Sequence, residues 1–81
     1  MEAGMGRVTM YQEPLERYLV TKINNVAPTK IERVVVRRLD GGRDRCNWDV
    51  AATKPALPME IAADVERDVI LPIREAIDLA D

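Results

Sequence analysis

Apolar positions recur with a helical period near the start of the chain and with a period of two in its middle. Leu15, Tyr18, Leu19, Ile23 and Val26 follow the i, i+3, i+4 rule, which predicts an amphipathic helix over 13–25. Pro14 suits its first turn, and Glu13 and Glu16 complement the positive end of its dipole. Asn24-Asn25 are expected to end it in a left-handed conformation, and Ala27-Pro28-Thr29 breaks it. Residues 30–39 are rich in β-branched side chains and read as a strand. Asp40-Gly41-Gly42 signals a turn, and 44–51 alternate, with Cys46, Trp48 and Val50 on one side and Arg45, Asn47 and Asp49 on the other. A hairpin follows, with Val34, Val36, Cys46, Trp48 and Val50 as its core face. Leu39 is out of phase with them, so a bulge is expected near Arg37-Arg38.

Residues 52–58 hold two prolines and read as a linker. From Pro58 or Met59 a helical pattern runs almost to the end of the chain. Ile61, Val65, Val69, Ala76 and Ala80 share one side, and Ile70, Ile73 and Ile77 widen the apolar arc to about half the circumference. Pro72 inside this pattern is expected to kink the helix near Asp68. Residues 1–12 read as a flexible tail, in which Val8 and Met10 offer at most a short edge strand.

These elements give an α+β fold of order α-β-β-α, one domain over 13–81, with an antiparallel hairpin covered by two helices. Two strands alone are barely stable in water. Either the helices cover them, or a second copy pairs with the β-branched edge and makes a homodimer. Glu66 and Lys22 fall inside the apolar arcs of their helices, which calls for a partner for each, either one another or a dimer seam.

Composition narrows the chemistry. The 81 residues contain no His, no Ser and a single Cys. The usual general base, the usual hydrolase nucleophile and any cysteine-cluster zinc site are therefore missing. Asp40, Asp44 and Asp49 lack the alternating spacing of a calcium loop. The chain is expected to be non-enzymatic, with no cofactor and no metal. No run approaches a membrane span, the first ten residues do not read as a signal peptide, and one Cys fits a reducing cytoplasm. Charge is sorted along the chain. Residues 1–45 carry nine Lys/Arg against six Asp/Glu, and residues 46–81 carry three against eight.

The run IERVVVRRLDGGRDRCNWDV, with its Asn47-Trp48-x-Val50 element after a glycine turn, resembles small bacterial and prophage-borne proteins. In these a helix precedes the hairpin and an Ala-rich helix follows a Pro-containing linker. The resemblance covers about residues 13–80 and implies an architecture without an activity.

Two surfaces stand out as binding candidates. Glu60, Asp64, Asp68, Glu75 and Asp78 form an acidic stripe on the last helix, with Leu71 as an apolar anchor for a protein partner. Such a face suits an adaptor or regulatory module. In size, acidity and lack of catalytic residues the chain is also similar to phage inhibitors of bacterial defence complexes, anti-CRISPR proteins among them. The rival is nucleic acid, met by Arg33, Arg37, Arg38, Arg43 and Arg45 of the hairpin. Cys46 reads either as a small core hydrophobe or as a thiol activated by Arg43 and Arg45. On the core reading, Cys46 of the native protein is expected to react with a maleimide much more slowly than in denaturant. Fast stoichiometric labelling of the folded chain would assign it to the surface.

Overall fold

The computed structural model describes residues 8–39 and 47–80. Cys46, Arg43, Arg45 and the Asp40-Gly41-Gly42 turn lie outside the described residues, as does most of the N-terminal tail. The elements run β1 (Val8–Met10), α1 (Gln12–Val26), β2 (Arg33–Arg38), β3 (Trp48–Lys54), α2 (Met59–Val65), a π-helical turn (Glu66–Ile70), α3 (Leu71–Ala76) and β4 (Ile77–Leu79). The fold is α+β, and its order departs from α-β-β-α because each end of the described chain adds a strand.

Helix α1 starts at Gln12, where Leu15 N–H bonds the Tyr11 carbonyl at 3.0 Å. Pro14 falls among the first-turn residues that have no intrahelical acceptor. Leu15, Leu19 and Ile23 project into the core and are fully buried. The end of the helix differs from expectation. Among the described residues no non-glycine has a positive φ, and Ala27 is extended before Pro28. Asn24 stays helical and turns its side chain to another use. Its amide accepts the Ile31 N–H at 2.8 Å and donates to the Ile31 carbonyl at 3.0 Å. The lead-in to β2 is thereby fixed against the last turn of α1.

Strands β2 and β3 pair antiparallel, from Arg33 opposite Lys54 to Arg38 opposite Trp48. Val34, Val36 and Trp48 are buried, whereas Val50 is only half-buried at the edge of the core. The bulge falls on the other strand from the expected one. The register passes from Val35–Ala52 to Val36–Val50, which leaves Ala51 without an opposite residue. Directly opposed residues share a face, so the core side of β3 reads Trp48, Val50 and then Thr53 opposite Val34. The extra residue re-phases the strand by one position and lets pairing continue to Lys54, into the stretch expected to be a linker.

From Met59 to Ala76 the backbone stays helical throughout, with αR geometry at both internal junctions. The irregularity expected near Asp68 takes the form of a wider turn. Pro72 has no N–H for the Asp68 carbonyl, and Leu71 N–H reaches back five residues to the Glu66 carbonyl. Val65, Val69 and Ile70 are buried against α1 and the hairpin.

The helix does not continue past Ala76. Ile77 is extended at φ −131°, ψ 135°, and Ile77–Leu79 pair in parallel with Val8–Met10. This corrects both the tail and the helical assignment of 77–80. The physical reason lies across the core. Trp48 Nε1–H donates to the Ile77 carbonyl at 2.9 Å, and Trp48 is itself fully buried. Asn47 donates from its amide to the Leu79 carbonyl at 2.9 Å and accepts the Leu79 N–H at 2.8 Å. Arg38 adds a bond to the Ala80 carbonyl at 3.0 Å, and Ala80 N–H reaches the Met10 carbonyl at 2.7 Å. Strand β4 thus has a strand on one side and side chains from the hairpin on the other. Ile77 and Ala80 kept a helical spacing that a short strand also satisfies.

The edge of β2 has partners as well. Val36 N–H bonds the Glu16 carboxylate at 2.8 Å, and the Val36 carbonyl accepts from Gln12 Nε2 at 2.8 Å. A second copy of the chain would meet this edge already engaged at Ile31 and Val36. Glu66 and Lys22 are both exposed, so the wide apolar arc makes no demand for a dimer seam.

The buried amide and indole set two expectations. Asn47→Ala leaves the N–H and C=O of Leu79, a residue only 4% exposed, without partners and should cost about 2–4 kcal/mol. Trp48→Ala should cost about 3–5 kcal/mol, with Trp48→Phe milder because it keeps most of the packing. Urea denaturation followed by far-UV circular dichroism measures all three, and unchanged midpoints would show that the C-terminal strand is held by something else.

Candidate functional site

All three helical segments pack on the Val34, Val36 and Trp48 side of the hairpin. Two surfaces therefore face away from the core: the outer side of α2, the π-turn and α3, and the opposite side of the hairpin.

On the helices, Glu60, Asp64, Asp68 and Glu75 are exposed, and Leu71 is 41% exposed between the last two. The stripe is less negative than its carboxylates alone suggest. Arg67 reaches Asp64 Oδ1 with Nη2 at 3.1 Å and Asp68 Oδ1 with Nε at 2.9 Å, and Nη2 also donates to Asp68 Oδ2 at 3.2 Å. Hydrogen bonding from Arg67 holds the Asp68 carboxyl below the usual carboxylate range, and the same bond raises the guanidinium above its ordinary value. These groups are well exposed, so the pairing orders the side chains more than it stabilises the fold. Asp78 leaves the stripe altogether, because it lies in β4 opposite Thr9 and is half-buried.

On the hairpin, Arg33 and Arg37 are exposed and share the outward face, four residues apart with Val35 between them. Arg38 does not join them. It has the parity of Val34 and Val36, lies opposite Trp48 and binds the Ala80 carbonyl. The sequence reading missed a third cation on the outward face. Lys54 lies directly opposite Arg33. It falls in the stretch expected to be a linker, although no Gly or Pro interrupts Ala51 to Lys54 to stop strand pairing there.

Between α1 and α3 runs a shallow apolar groove of about 380 Å³, floored by Val69, Ile73 and Ile77, with Tyr18, Val26 and Pro72 on its walls. Lys22 stands on its rim with Nζ 5.5 Å from the centre of the Tyr18 ring, and Asp68 also lines the groove. Among the described residues no three His, Cys, Asp or Glu side chains are placed to hold a metal ion. What these surfaces offer chemically is charge and apolar contact.

No family model, no curated protein and no solved structure matches the chain.

The Arg67 pairing is open to measurement. The Asp68 carboxyl should titrate below an ordinary aspartate by carbon-detected NMR, and Arg67→Ala should return it upward. Because the folded value is depressed, whatever stability the pair contributes is present above the unfolded aspartate pKa. It fades as pH falls through the folded value. An Asp68 titration unmoved by Arg67→Ala would show that the ion pair does not persist in solution.

Proposed function

We propose that the protein is a non-enzymatic binding module that engages a basic protein surface through the outer face of its last helical segments, as an adaptor or regulatory component. The observation that carries this reading is Leu71. It is an exposed leucine on α3 with Asp68 about one turn before it and Glu75 about one turn after it, and Asp64 and Glu60 continue the row. Arg67 is paired with Asp64 and Asp68, and Arg74 bonds the Trp48 carbonyl, so an apolar anchor flanked by carboxylates suits a partner pocket lined by Lys and Arg. The carboxylates speed encounter and set orientation, and the leucine supplies buried area once docked. The Asp64–Arg67–Asp68 arrangement holds the middle of the row in one geometry.

The absence of His and Ser from the sequence supports a binding role over catalysis. A single Cys fits a reducing cytoplasm, and among the described residues no helix is long and apolar enough to cross a membrane. The same face would serve a phage-type inhibitor of a bacterial defence complex. An inhibitor abolishes its partner's activity on binding, and an adaptor leaves it active.

Two variants test the surface. Leu71→Asp and Asp68→Lys/Glu75→Lys change exposed side chains, so each should alter stability by no more than about 0.5 kcal/mol per site. Both should lose a partner that the unaltered protein captures from its native cell and releases when salt is raised. Capture of that partner by Leu71→Asp at full strength would remove the outer helix face from the reading.

A further inference from the structure

We propose that the outward face of the β2–β3 ribbon binds the backbone of duplex DNA, with the ribbon set in the major groove. Arg33 and Lys54 are directly opposed across the two strands, and Arg37 follows Arg33 on the same face. Like charges set directly opposite one another work against strand pairing. Neither Arg33 nor Lys54 has an ion pair among the described residues, and Arg37 has none either. Asp49 lies opposite Arg37 and offsets part of its charge, although its Oδ1 accepts the Val50 N–H at 2.8 Å and it forms no ion pair with Arg37 among the described residues. The ribbon therefore holds three cations without an ion pair on one face, against the single carboxylate of Asp49, and the opposed Arg33 and Lys54 come at some cost to its own stability. An anion shared by Arg33 and Lys54 relieves that repulsion.

The spacing suits a phosphodiester chain. Opposed side chains start about 5 Å apart, close enough for one phosphate to take both. Arg37 lies four residues, about 13 Å, further along the strand, where it meets a separate phosphate further along the backbone. Between the cations the face carries only Val35 and Ala52, opposite each other. Short side chains there let the ribbon approach closely, and a two-stranded ribbon fits the width of a major groove. Single-stranded binding surfaces rely on aromatic platforms. The residues of this face, Arg33, Val35, Arg37, Asp49, Ala52 and Lys54, include no aromatic side chain. The far side of the ribbon is covered by the helices, so DNA on this face leaves the acidic outer helix surface free on the opposite side of the molecule.

Fluorescence anisotropy of the full chain with a labelled duplex, at several salt concentrations, tests this. Three phosphate contacts give a slope of about −2.7 in log K against log salt, or about a 40-fold loss between 50 and 200 mM. Removing one cation by Lys54→Ala or Arg37→Ala should shrink the slope by about 0.9. Arg33→Glu should abolish binding, while its melting temperature stays level or rises because Glu now faces Lys54. Asp68→Lys/Glu75→Lys should leave the slope unchanged. No duplex binding at 50 mM salt would overturn the proposal, and so would an unchanged slope in the cation variants. Tighter binding to single strands or to polyglutamate than to duplex would overturn it equally.

Discussion

The fold depends on how the backbone of the C-terminal strand finds hydrogen-bond partners. Strand β4 is three residues long and has one strand neighbour, the equally short β1. Buried peptide groups without partners are costly, and Leu79 is buried. The side-chain amide of Asn47 supplies what a second neighbouring strand would supply, one acceptor and one donor to the same residue. The adjacent Trp48 indole fills the core and donates to Ile77 from the same side. Two consecutive residues at the start of β3 thus join the hairpin to the β1–β4 pair, and the N-terminal strand is drawn in through β4. Arg74 ties α3 to the same place by donating to the Trp48 carbonyl at 2.9 Å.

The same device recurs. Asn24 closes on both backbone groups of Ile31, and Gln12 and Glu16 together close on both backbone groups of Val36. In each case a polar side chain takes the place of a strand neighbour. Each sheet here has two strands, and two strands alone are marginal. Side chains that imitate a strand satisfy the edges without lengthening the protein. They also occupy positions that an exposed edge would offer to a second chain, which limits edge-to-edge pairing.

The logic of these closures explains what could be read from the sequence. Helix α1, the two central strands and the irregularity at Asp68 are each set by local signals: a helical apolar period, β-branched runs and a proline without an N–H. Such signals survive in the bare sequence. Strand β4 does not, because Ile73, Ile77 and Ala80 keep a helical spacing and nothing nearby marks the change at Ala76. Its conformation is fixed by Asn47 and Trp48, about thirty residues away, so the information is tertiary. The bulge shows a subtler version. Leu39 revealed that the alternation slips somewhere, but an extra residue in either strand produces the same slip. The structure puts it at Ala51, and that choice carries Lys54 into the strand and opposite Arg33. The acidic stripe was legible up to Glu75 and lost Asp78 at the point where the helix stops.

Charge sorting along the chain then becomes charge sorting in space. A two-layer α+β unit has an outside to each layer, and the helices here turn their apolar sides to one face of the hairpin. Carboxylates accumulate on the outside of the helical layer, where the helix period places Glu60, Asp64, Asp68 and Glu75 away from the core. Cations accumulate on the outside of the hairpin, where strand alternation places Arg33 and Arg37, and the bulge adds Lys54. The core separates the two sets, and in physiological salt charges more than about 8 Å apart across solvent are largely screened from each other. Each surface can therefore keep its own sign without collapsing onto the other. Arg67 and Asp49 moderate the two surfaces locally, and Arg38 is withdrawn from the basic face to hold the C-terminus. The residues that close the fold and the residues left to meet a partner are thus largely different sets, so the surface charges can be altered while the clasp at Asn47 and Trp48 stays intact.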